Sequence, residues 1–153
     1  MNIAELVSKD RIVLGVEAAS KKKALEYISE ILSRGQQDVT AGEVFDCLIG
    51  RERLGSTGVG RGIAIPHCRL KGNHNTLAVL VRLKQGIDYD SIDSKPVDLI
   101  FAMVVPEDAT EAHLKTLAQL AKMFSNAELV EQLHQADNAD TIYGILEAGE
   151  PAD

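Results

Sequence analysis

The amino-acid sequence predicts an α/β sandwich in which a mixed β-sheet is covered by helices. Three observations carry that expectation. Stretches with a helical apolar period interleave with short strand-like runs, without strict repetition. Residues 97–105 are almost continuously apolar, as a strand buried on both faces would be. No internal repeat or low-complexity linker divides the chain, so residues 1–153 are expected to form a single domain.

Taken in order, residues 11–16 read as a first strand broken by Gly15. Ser20 is placed to cap a helix running to about Arg34, and Gly35 stands where a glycine in the left-handed region ends one. Ala24, Leu25, Ile28, Ile31 and Leu32 form its apolar stripe. Thr40 and Glu43 make a T-x-x-E capping box for a second helix, with Val44, Phe45, Leu48 and Ile49 facing inward and Gly55 as its stop. Residues 55–62 are too glycine-rich for a helix. The triplet Ile63-Ala64-Ile65 then reads as a short strand stopped by Pro66. Residues 76–83 and 97–105 are the two clearest strands, and Pro106 ends the second. Asp108 or Thr110 caps a helix built on Leu114, Leu117, Leu120, Ala121 and Phe124. Asn126 opens another through Leu129, Val130 and Leu133, and a last short helix carries Ile142, Ile145 and Leu146.

Of the 153 residues, 45% are hydrophobic and 25% charged, which suits a globular chain with one substantial core and argues against wholesale disorder. The net charge of -7 excludes a protein that binds nucleic acid through a broad basic face. Any anion site must therefore be assembled locally. No apolar stretch approaches the roughly 20 residues that span a bilayer. The N-terminus lacks a basic segment followed by an apolar run, so no signal peptide is expected. A cytoplasmic location follows as the expectation. The two cysteines, Cys47 and Cys68, are expected as reduced thiols, because no C-x-x-C spacing is present.

The chemistry centres on His67. It follows Pro66, whose fixed backbone dihedral stiffens the approach, and lies beyond a flexible loop whose N–H groups are candidates to line an anion pocket. A neutral imidazole offers an unprotonated nitrogen as a nucleophile toward phosphorus. The plain alternative is a solvated loop histidine. Arg51 and Arg53 close the second helix, where guanidinium either binds anionic oxygens in pairs or compensates the helix end. His113 falls in the first turn of a helix, a position that favours anions and also accommodates an ordinary surface residue.

The segment GSTGVGRGIAIPH resembles the active-site segment of mannitol/fructose-type enzyme IIA domains of the bacterial phosphotransferase system, most closely their nitrogen-related branch. The stretches RERLGSTG, VDLIFAMVVP and HLKTLAQLA look like the same family, so the resemblance covers about residues 20–145. It implies that His67 carries a phosphoryl group, supported by Arg51 and His113, whose spacing from His67 matches the family's supporting residues. Ser56 or Thr57 would add a hydroxyl contact. No cofactor or metal is implied. The implied donor is the nitrogen-branch counterpart of the histidine-containing phosphocarrier protein. The implied output is control of nitrogen and potassium metabolism, through potassium transport or sensor components. No transporter or phosphocysteine domain is fused within residues 1–153, as expected for a stand-alone regulator. Cys68 departs from the family, which usually has a small residue there, most often glycine.

Three rivals remain at this level. A sugar-specific enzyme IIA feeding a fructose- or mannitol-type transporter is the nearest. A phosphorylation-independent interaction module is the second, and a nucleotide-binding enzyme the third. The last is poorly supported, because the glycines lead into a strand and no G-x-x-x-x-G-K-[ST] exists. A metal site from His67, Cys68, His74 and His113 has no recognised spacing. His134, on a charged helix, is expected to be solvated.

Overall fold

The run expected as the buried strand, β6 (Val97–Pro106), forms the centre of the protein. The computed structural model describes residues 3–73, 75–109 and 111–149. β5 (Leu77–Ile87) lies antiparallel along one side of β6, and β1 (Ile12–Val16) pairs parallel with β5 beyond it. On the other side of β6 run β3 (Ile63–Ala64) and β4 (His67–Leu70), both parallel to it, with β2 (Gly58–Gly60) antiparallel to β3. The six-stranded sheet is therefore mixed, in agreement with the sequence expectation.

Among the described residues, six α-helices cover it. One face carries α1 (Ile3–Val7), α4 (Glu111–Phe124), α5 (Ala127–Gln135) and α6 (Ala139–Gly149), packed on Leu99, Phe101, Met103 and Val105 of β6. The other carries α2 (Lys21–Ser33) and α3 (Ala41–Glu52), packed on Ile100, Ala102 and Val104. The alternation of side chains along a strand makes the two cores separate.

Three of the expected caps are present. Ser20 accepts from the Lys23 N–H, Thr40 and Glu43 make the reciprocal capping box, and Asn126 accepts from the N–H groups of Glu128 and Leu129. Of the two caps proposed for α4, Thr110 lies outside the described residues, as does His74. α1 had no counterpart in the sequence reading; its Ile3, Ala4 and Val7 are fully buried in the first core. Arg82, on β5, donates to the carbonyls of Leu133 and His134, which terminate α5. No helix among the described residues is long and apolar enough to cross a membrane.

Two corrections concern the glycine segment. It is a hairpin, not an open loop: β2 turns into β3 through Arg61 (φ 58°) and Gly62 (φ 78°), both left-handed. A Cβ on Gly58 would stand 2.9 Å from the Ser91 Cα, so this close approach admits only glycine. Second, β3 ends before Pro66 as expected, but pairing to β6 resumes beyond it. The register to β6 continues from Ala64↔Ile100 to His67↔Met103, with the Pro66 carbonyl still accepting from the Met103 N–H at 2.9 Å. His67 therefore lies beyond the end of β3, as expected, and is also the first residue of a further strand, β4, that the sequence reading did not foresee.

Candidate functional site

β4 sends successive side chains to opposite faces. His67 is paired with Met103, of the first core, so it lies on the α4 side, while Cys68 packs with the second core on the α3 side. The His67 ring is half-buried, and its Nδ1 lies 2.7 Å from the Ile65 carbonyl oxygen. A carbonyl can only accept, so Nδ1 carries the proton and Nε2 carries the lone pair. The backbone two residues upstream thus chooses the tautomer.

His113, in the first turn of α4, is on the same face. Its Nε2 lies 2.8 Å from the hydroxyl of Thr76, immediately before β5. Its Nδ1 is buried with no hydrogen-bond partner among the described residues. A buried polar nitrogen without a partner costs about 1–3 kcal/mol, so it marks a place where a ligand atom would be favourable.

Arg51 reaches the region differently. Its guanidinium donates to the Gly55 carbonyl at 2.8 Å, on the last turn of α3. The Thr57 carbonyl, two residues further, accepts from the Ile65 N–H at 2.9 Å, and Ile65 in turn holds His67. A short chain of backbone contacts therefore joins Arg51 to the His67 ring, without a direct hydrogen bond between them among the described residues. Arg53 is exposed.

Ser56 and Thr57 are engaged elsewhere. Ser56 Oγ donates to the Tyr89 carbonyl and accepts from the Gly58 N–H. Thr57 is 5% exposed, and its hydroxyl binds the buried Glu52 carboxylate. The glycine N–H groups expected to face an anion are likewise partly engaged, Gly55 with the Glu52 carbonyl and Gly58 with Ser56.

Sequence reasoning missed the cluster beneath this hairpin. Glu52 also accepts from the Thr57 N–H and from the Tyr89 hydroxyl at 3.0 Å, and forms an ion pair with Lys21 at 3.1 Å. The Lys21 ammonium stands 4.5 Å from the Tyr89 ring centroid. Burial, and then the neighbouring Glu52 carboxylate, push the Tyr89 phenol far above its ordinary range, so it acts as a neutral donor. The one available signal was a charged residue, Glu52, within an otherwise inward-facing helix stripe.

Two further expectations change. Cys47 and Cys68 are joined as a disulfide, not held as two thiols. His134 is not merely solvated: its Nδ1 lies 3.1 Å from Asp98 and its Nε2 3.1 Å from the Arg61 carbonyl. The hydrogen bond to Asp98 raises its pKa above the usual histidine value against the opposing effect of burial, and the Arg61 carbonyl adds to the rise. Arg61 is structural too, its N–H donating to Asp93 and its guanidinium to the Ser125 carbonyl.

The mixed sheet with a helical layer on each face defines a class. Residues 5–149 match the family described as phosphoenolpyruvate-dependent sugar phosphotransferase system, EIIA 2, and the chain belongs to that family. Within it, the chain is 39% identical to a nitrogen regulatory protein of Pseudomonas aeruginosa over 146 residues, covering 95% of each. The crystal structure of nitrogen regulatory protein IIA-Ntr from Neisseria meningitidis superimposes with a TM-score of 0.90 at 40% identity, covering 94% of this chain and 98% of that one. IIA mannitol from Escherichia coli shares the fold, with a TM-score of 0.77 at 22% identity over 92% of this chain and 98% of its own.

Proposed function

We propose that this protein is a phosphoryl-carrier regulator that accepts a phosphoryl group on Nε2 of His67 from a phosphohistidine carrier protein. The observation that carries the reading is the Nδ1 contact to the Ile65 carbonyl, which leaves Nε2 as the nucleophile. In the transfer, the Nε2 lone pair bonds phosphorus as the donor's P–N bond breaks, and the donor imidazole keeps that bond's electron pair. The His67 ring gains positive charge, which the Ile65 carbonyl stabilises through the retained Nδ1 proton. Because like bonds break and form, the equilibrium is close to balanced and reversible.

The transition state is loose, with charge on the three equatorial oxygens, so alignment and charge stabilisation do most of the work. His113 supplies a donor when Thr76 gives its hydroxyl proton to Nε2, because Nδ1–H then lacks an acceptor that a phosphoryl oxygen would provide. Arg51 would leave the Gly55 carbonyl to neutralise the group. The hydroxyls of Ser56 and Thr57, engaged inward, take no part in this reading.

The output is regulatory. Phosphorylation places roughly 1.5 to 2 negative charges at one spot, enough to make or break a protein interface. The nitrogen regulatory proteins among its relatives favour a role in nitrogen regulation over sugar uptake. Potassium transport or sensor components as targets, and a cytoplasmic site of action, are what the family resemblance of the sequence implies and form part of the proposal.

Incubation with phosphoenolpyruvate and the upstream carrier components, followed by intact mass measurement, tests the acceptor. One acid-labile, alkali-stable phosphoryl group is expected, absent in His67→Ala. An unchanged mass with competent donors would refute the reading.

A further inference from the structure

The disulfide is the feature that the carrier chemistry leaves unused. It joins Cys68, next to His67 on β4, to Cys47 on α3 across 21 residues of sequence. Cys47 stands one helical turn before Arg51, so the two share a face of α3. The bridged segment contains Arg51, Glu52, the glycine hairpin, Ile65 and His67. One covalent bond thus ties together the two elements that carry the candidate nucleophile and its cation.

Both cysteines are half-buried and open to a small reagent. The reduced state is also provided for, because Cys47 Sγ lies 3.2 Å from the Arg69 carbonyl oxygen, a ready acceptor for a thiol. Cys68 faces the second core, opposite His67, so opening the bridge does not place a thiol against the ring.

We infer that Cys47–Cys68 is a reversible thiol–disulfide exchange site whose state sets the phosphoryl equilibrium of His67; the coupling, though not the exchange, rests on the carrier reading above. A thiolate of a dithiol partner attacks one bridge sulfur, forming a mixed disulfide and freeing one cysteine. The partner's second thiolate then displaces the other cysteine and leaves as a cyclic disulfide. Two electrons and two protons pass to the protein. With the bridge closed, α3 and β4 are held in register and Arg51 is kept beside the hairpin. With it open, that order must be supplied again when the phosphoryl group arrives. The bridged form is the better acceptor, and by reciprocity the phosphorylated protein holds its bridge more tightly.

The full chain, poised in mixtures of reduced and oxidised dithiothreitol, is alkylated and weighed to obtain the bridge's midpoint. Phosphorylation is then measured for each form against the same carrier. About a tenfold larger phosphorylation constant is expected for the bridged form, with the phosphorylated protein's midpoint lower by about 30 mV, the same factor expressed as a potential. A Cys47→Ser/Cys68→Ser variant should respond to neither condition, and the corresponding double alanine variant serves if the serines impair folding. A bridge that resists excess dithiothreitol in the folded protein overturns the proposal. So do equal phosphorylation constants, or a cysteine-free variant that still responds. If neither form takes up phosphoryl groups, the carrier reading falls separately. The coupling is then judged by the rate at which diethyl pyrocarbonate modifies His67: unequal rates in the two forms sustain it, and equal rates overturn it.

Discussion

Two polar regions of this protein are built in opposite ways. Beneath the glycine hairpin, the Glu52 carboxylate binds Lys21, Tyr89 and both the N–H and hydroxyl of Thr57. At the end of the sheet, His67 has one nitrogen held by a carbonyl and one left over, and His113 has a buried nitrogen with no described partner. The first cluster is saturated and fixes the backbone. The second is incomplete and invites a ligand. A satisfied buried network rigidifies its surroundings, whereas an unsatisfied one stores a cost that binding can remove.

The sharpest way to break this contrast is to empty the saturated cluster. Glu52→Ala should destabilise the fold by about 3 kcal/mol, because the Lys21 ammonium, the Thr57 N–H and the Thr57 and Tyr89 hydroxyls all lose the carboxylate they share. Urea unfolding reads the loss. A change below about 1 kcal/mol would mean that the cluster does not anchor the hairpin.

His113→Ala should do the reverse, lowering phosphoryl transfer by about 10²–10³-fold, as loss of one transition-state donor typically does. Its stability should fall by no more than about 1 kcal/mol, since the lost hydrogen bond to Thr76 is offset by removal of an unpaired buried nitrogen. Equal damage to rate and to folding would show that His113 belongs with the structural residues.

The smallest effect concerns His134, which joins α5 to Asp98 and the hairpin. Its folded pKa is raised, so its stabilising contribution is complete below the ordinary value of about 6.5 and is lost as pH rises through the folded value. The stability gap between wild type and His134→Gln should therefore be widest in mild acid and shrink as the medium becomes alkaline. A gap independent of pH would show that the histidine is held neutral.

Local signals in the sequence told true where the physics is local. The Thr40–Glu43 box, the Ser20 and Asn126 caps and the apolar run of β6 each depend on neighbours within one turn or one strand. What escaped depends on elements meeting at a distance. Glu52 finds Tyr89 only because the hairpin folds over the end of α3. Cys47 finds Cys68 only because α3 lies along β4, and no spacing rule announces that. The resemblance of the IAIPH segment singled out His67, but its tautomer was invisible until the Ile65 carbonyl was placed.

Nε2 of His67 is proposed as the phosphoryl acceptor because Nδ1 is already committed to the Ile65 carbonyl. Long-range proton–nitrogen correlation spectra of protein labelled with 15N-histidine, before and after phosphorylation, address it directly. Neutral His67 is expected to hold its proton on Nδ1 and to show phosphorus coupling at Nε2 afterward. A proton on Nε2 in the free protein, or phosphorus on Nδ1, would contradict it.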